Sequence, residues 1–170
     1  CHDGDPLIYP GAPEVCNFAD DDCDGAIDET AEGEESCPTC EAILSDTNGT
    51  VLLCRIVMNY ADAHEACLSR GGDLLSIHSQ EEQETIGQVA YASYQGHLWI
   101  GINDREVEGT FAWTDGSLVD FEHWNKNEPN DWGSGEDCGH LYEGNENRWN
   151  DLPCWHEAGY LCRMPNLSLP

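Results

Sequence analysis

The chain has 170 residues, with 34 Asp or Glu against 6 Lys or Arg and a formal net charge of -28. That length suits one ordinary domain with a small appendage. The charge argues against nucleic acid and anionic membrane surfaces, both of which are held through Lys and Arg. No apolar run approaches the ~20 residues that cross a bilayer, and no signal-peptide pattern is present.

The acid is concentrated at the start. Residues 1–36 carry 12 Asp or Glu, and the first basic residue is Arg55. Rich in Gly and Pro and poor in aliphatic side chains, this stretch cannot build a core alone; cysteines or bound cations would have to hold it. Ten cysteines, at 1, 16, 23, 37, 40, 54, 67, 138, 154 and 162, read as a disulfide framework formed in an oxidising compartment. Zinc is the rival reading, but Cys37-Pro-Thr-Cys40 has no second CxxC or HxxxH partner. Asp20, Asp22, Asp24 and Gly25 have the D-x-D-x-D-G spacing of a calcium loop, with alternate acids on one side and a glycine for the turn. The twelfth position is Ala31 rather than the Glu of an EF-hand, so Asp28 and Glu29 are the candidates to close the site. A solvated acidic tail is the alternative. Asp5 to Cys16, with Asp22-Cys23-Asp24-Gly25-Ala26-Ile27-Asp28-Glu29, resembles an Asp-rich repeat assigned to metal binding and common in myxobacterial surface and secreted proteins. The expected division is a calcium-binding repeat over 1–36, a main domain over 37–165 and a tail over 166–170.

In the main domain, Val51 to Val57 is apolar and β-branched enough for a buried strand. Asn59 caps a predicted helix that runs to about Arg70 and stops at Gly71-Gly72. Asp73–Ile77 reads as a short strand. Ser79-Gln80-Glu81-Glu82 is a capping box, after which Ile86, Val89, Ala90 and Tyr94 recur at helical spacing. Short strands are predicted over 97–102, 111–114, 139–143 and 160–164, separated by long polar loops. Two early helices followed by irregular β structure define an α+β domain.

The stretch from Asp115 to Asp137 is a long loop crowded with Glu128, Asp131, Glu136 and Asp137; Asp104 and Glu108 precede it, and Asn150 and Asp151 follow. Converging carboxylates repel one another unless a counter-ion joins them. Calcium, which takes six to eight oxygens from carboxylates and amide carbonyls, fits this inventory better than magnesium.

Leu98-Trp99-Ile100-Gly101-Ile102, Glu128-Pro129-Asn130, Gly135-Glu136-Asp137-Cys138 and Trp149-Asn150-Asp151, in that order, resemble the C-type lectin domain over about residues 40–164. The resemblance implies that fold: two helices, small antiparallel sheets and a long calcium-organised loop. It implies pairing of Cys67 with Cys162, Cys138 with Cys154 and Cys40 with Cys54. Cys1, Cys16, Cys23 and Cys37 keep three possible connectivities. It further implies a principal calcium held by Glu128, Asn130, Glu136, Asn150 and Asp151, with a cis bond before Pro129. An auxiliary calcium would use Asp104, Glu108, Asp131 and Asp137 with Glu136 shared, and the N-terminal repeat would hold another through Asp20, Asp22, Asp24 and Asp28. The Glu-Pro-Asn order resembles members that select the equatorial hydroxyls of mannose, glucose, N-acetylglucosamine or fucose. Trp132 is a candidate sugar-stacking ring of the kind found in galactose-type members.

No HExxH, GxSxG or unaccompanied cysteine nucleophile is present, so the expected protein is a non-enzymatic, secreted or surface-displayed lectin. Its partners would be cell-surface glycans, engaged multivalently through oligomers or a larger parent protein. The alternative is a calcium-stabilised protein-binding or ice-binding domain without sugar recognition. Trp99, Trp113, Trp124 and Trp149 are expected to pack in the core or loop. Asn48-Gly49-Thr50 and Asn166-Leu167-Ser168 are formal glycosylation sequons.

Overall fold

The computed structural model describes residues 9–12, 22–24, 40–133, 135–142 and 147–165. The chain divides into two compact units, Cys1–Thr39 and Cys40–Pro170. In the first, Ala12 N–H donates to Tyr9 O (2.9 Å) and Gly11 N–H to Asp22 O (3.0 Å).

The second unit is the α+β fold of two helices and a mixed sheet. Strand β1 (Glu41–Asp46) turns back into β2 (Gly49–Met58), and α1 (Tyr60–Ser69) follows. Asn59 caps α1, its side chain accepting from Asp62 N–H at 3.0 Å, and Gly71 leaves the helix at φ 79, where a glycine carries no Cβ penalty. Strand β3 (Asp73–Leu74) is shorter than the expected 73–77. Beyond Leu74 the backbone turns to other partners: Leu75 N–H donates to Leu161 O and Leu75 O accepts from Gly101 N–H, both at 2.9 Å. Helix α2 (Gln80–Ser93) begins at Ser79, whose Oγ accepts from Glu82 N–H at 3.2 Å. The Glu82 carboxylate does not return to the cap residue's own N–H. It accepts from His78 N–H at 2.8 Å and pairs with Arg163.

Strands β4 (Leu98–Asn103), β5 (Ala112–Trp113), β6 (Cys138–Leu141), β7 (Trp149–Leu152) and β8 (Ala158–Met164) complete the sheet in the order β1-β2-β8-β4-β6-β7; β3 pairs β8 and β5 pairs β4. The β4–β8 pairing is parallel, and the other strand pairings are antiparallel. Gly139 is needed where β6 passes β4, because a Cβ there would stand 2.1 Å from Ile102 Cγ2. Disulfides join Cys40 to Cys54, Cys67 to Cys162 and Cys138 to Cys154.

The core gathers Leu53, Leu75, Ile86, Ile100, Trp113, Trp149 and Leu161 between the helices and the sheet. Gln83, on the buried side of α2, is its polar pin: its amide donates to Asn147 O at 2.6 Å and its carbonyl accepts from Trp149 Nε1 at 2.7 Å. Gln83→Ala would strand both partners, at about 1–3 kcal/mol. Urea denaturation should show that loss, and a change within error would refute the pin.

Candidate functional site

Strand β7 carries the site's organiser. Asp151 is fully buried, and its carboxylate accepts Asn130 N–H (3.0 and 3.2 Å) and Asp131 N–H (2.8 Å). The backbone beside it holds the start of the same loop: Asn125 N–H donates to Trp149 O at 2.8 Å and Trp149 N–H to His123 O at 2.9 Å. Between these anchors the loop turns through a cis Glu128–Pro129 bond, with Asn127 at φ 71 and Asp131 at φ 45, a region Asn and Asp tolerate better than most side chains. Asp131 Oδ1 accepts from Gly135 and Glu136 N–H, and Glu136 accepts from Trp132 N–H at 3.0 Å.

Glu128, Asn130, Glu136, Asn150 and Asp151 are brought together in this way. The Asn130 amide donates to the Glu128 carboxylate. The Asn150 amide donates to Asp151 O and lies 3.3 Å from His140 Nε2, so its carbonyl oxygen is not engaged by that pair. Desolvation and then the Asp151 charge push the Glu128 carboxyl up. Desolvation also raises Glu136, with Asp151 and Asp131 adding repulsion.

A second acidic group adjoins the first. Oxygens of Glu108, Asp131 and Asp137 lie within 4.8 Å of one another. Asp104 N–H donates to Asp137 O at 3.1 Å, and Gly109 N–H to Asp104 Oδ2 at 2.8 Å. Asp104 Oδ1 is buried and accepts no hydrogen bond among the described residues. Burial raises the Asp104 carboxyl, with a contribution from Asp137, and Asp104 is the main cause of the rise at Glu108. None of the ion pairs among the described residues reaches any of these acids. An orphaned buried oxygen amid carboxylates held above their ordinary range fits a hard divalent cation with oxygen ligands.

In the first unit, Asp24 N–H donates to Asp22 Oδ1 at 3.0 Å and Cys23 has φ 66. Asp20 and Asp28, with Cys1, Cys16 and Cys37, lie outside the described residues, as does the 166–170 tail. Trp132 is 80% exposed on the long loop. Trp99, Trp113 and Trp149 are buried, and Trp124 packs partly buried against the core. The sequence reading passed over His140, which is fully buried with its pKa pushed down to about 3 by desolvation and then by His97. The alternation His140-Leu141-Tyr142 was the available signal.

Residues 56–164, more than half the chain, match the family model of the lectin C-type domain, and the protein belongs to that family. A second model, described as a putative metal-binding motif, matches residues 1–29. The mouse (Mus musculus) C-type mannose receptor 2 is 44% identical over 106 residues, which are 62% of this chain and 7% of the receptor; the chain thus spans a small fraction of that relative. The crystal structure of the C-type lectin CEL-I from Cucumaria echinata is similar at TM-score 0.67 and 32% identity, covering 75% of this chain and 96% of that one. A calcium-independent type II antifreeze protein is similar at TM-score 0.66 and 31% identity, covering 75% and 95%.

Proposed function

We propose that the protein is a calcium-dependent lectin that binds vicinal equatorial hydroxyls of mannose-type sugars at Glu128, Asn130, Glu136, Asn150 and Asp151. The observation that carries this reading is the convergence of three carboxylates and two side-chain amides on one loop, with no cationic side chain paired to the acids among the described residues. Bound there, calcium would supply coordination positions that two sugar hydroxyls can take over from water. The residues then divide the polar work. Each Asn can turn its carbonyl oxygen inward and its amide outward to a hydroxyl oxygen. Glu128 and Glu136 each keep a second oxygen to accept a hydroxyl proton. Trp132 offers an apolar ring to a sugar face.

Asp104, Glu108, Asp131 and Asp137 would hold a second calcium, and residues 1–36 a further one in a separate repeat. The disulfides and the family suit a secreted or surface-displayed protein without catalytic activity. A site that grips two hydroxyls binds one sugar weakly, with Kd on the order of 1 mM, so adhesion to cell-surface glycans would rely on several copies or a larger parent chain.

The test is retention on immobilised mannose in calcium, with elution by chelator and by free mannose. Asn150→Ala is expected to pass straight through while melting within a few degrees of the parent. The likeness to an antifreeze protein favours a second reading, a protein-binding or ice-binding surface with calcium for loop structure alone. Passage of the unaltered, calcium-loaded protein through the column would select it.

A further inference from the structure

The face of the sheet opposite the core carries a run of aromatic rings that begins at Asn150. In register, Trp99 lies opposite His140 and His140 opposite Asn150, so the three side chains leave the sheet on one side. Alternate residues share that side, which brings in His97 before β4 and Tyr142 after β6. Leu98, Leu141 and Trp149 point the other way into the core. Ring contacts follow this placement: His97 lies 4.6 Å from His140, 5.8 Å from Tyr142 and 5.9 Å from His156 between centroids. Trp155 lies 6.4 Å from His156. The inner members, Trp99 and His140, are fully buried, whereas Tyr142 is 37% and Trp155 76% exposed.

Trp155 does not hang on a loose loop. Cys154, its neighbour, is bonded to Cys138, and its carbonyl accepts Tyr60 N–H at 2.9 Å; His156 N–H donates to Pro153 O at 2.8 Å. An exposed tryptophan fixed on a tied turn is an apolar surface already ordered for a ligand. Its continuity with Asn150, through the 3.3 Å approach of His140 Nε2, says which ligand. We infer that Tyr142 and Trp155, backed by His97 and His156, form a second saccharide subsite, on which the next pyranose of a bound glycan lays its C–H face. This inference rests on the lectin reading and assigns that lectin a preference for oligosaccharides over single sugars. Aromatic rings suit the task because a pyranose face is apolar while its rim of hydroxyls stays wet.

The test compares mannose with linear mannotriose by titration calorimetry in saturating calcium. In the parent, mannotriose should bind about tenfold more tightly than mannose, from ring contacts each worth a few-fold. Trp155→Ala and Tyr142→Ala should cut that ratio to the roughly threefold expected from three equivalent units, with mannose affinity unchanged; Trp155→Phe should restore much of it. A parent ratio of about three, or variants that keep the full ratio, would overturn the subsite and leave the primary site standing. If the parent binds neither sugar in calcium, the lectin reading falls and the subsite with it.

Discussion

Trp149→Ala is expected to unfold most of the domain under conditions where the parent melts cooperatively. The indole is fully buried, with Trp113, Phe121 and Trp124 at 5.4, 5.8 and 5.6 Å between centroids. Deleting a buried aromatic of this kind costs about 3–5 kcal/mol, largely from the cavity left behind. The Gln83 carbonyl would also lose its donor. Against a typical total of about 5–15 kcal/mol, that is a large share. Because β7 also presents Asn150 and Asp151, sugar retention should vanish with the tertiary near-ultraviolet signal. A urea midpoint shifted by less than the Gln83→Ala effect would contradict the central place given to this ring.

The second large effect is calcium stabilisation and its decay in acid. At a free concentration about 100 times Kd, an ion bound by the native state alone adds about 2.7 kcal/mol, so the melting temperature should rise by several degrees over that in chelator. The sign with pH follows from Glu128, Glu136, Asp104 and Glu108, whose carboxyls stand above their ordinary range in the metal-free fold. Such groups bind more protons folded than unfolded, so their contribution to metal-free stability is full below the unfolded values and is lost as pH rises through the raised ones. Calcium needs them ionised. The melting-temperature gap between calcium and chelator should therefore be widest near neutrality and close as pH falls into the raised carboxylate range.

His140 acts with the opposite sign. Its pKa is held down to about 3, so its contribution is present above the ordinary value near 6.5 and is lost as pH falls towards 3. That loss weakens the protein with or without the ion and should largely cancel in the gap. Glu128→Gln with Glu136→Gln should flatten the gap. An unchanged gap from neutral pH to pH 4 would sink the metal argument.

Much of the fold was legible because its signals are local. Asn59 and Ser79 cap helices through their own neighbours, and Val51 to Val57 is buried enough to read as a strand. Strand β1 escaped because it is an edge whose residues are exposed or half-buried, without the alternation of a sheet with one dry face. Strand β7 escaped because its four residues read as ligands, and Asn150 and Asp151 are poor strand formers in isolation. The expected strand at 73–77 shrank because Leu75 bonds across to Leu161 and Gly101, long-range partners that no window of sequence contains. Site chemistry could be read from residue type: carboxylates and amides within one loop. That Asp151 secures the loop through backbone N–H groups 20 and 21 residues away, and that His97, His140 and His156 meet, depends on register.

The sheet order also constrains how the protein is made. Strand β8 is the last in the chain, yet it sits between β2 and β4 near the middle of the sheet. A ribosome-bound chain ending at Leu152 would hold a β1–β2 hairpin and a β4–β6–β7 meander, each with an unpaired edge where β8 belongs. Neither half can close on the other, and Cys67 must wait for Cys162 across 95 residues. Folding of this domain should therefore follow release of its last strand rather than proceed during synthesis, and until then those edges would need shelter from one another.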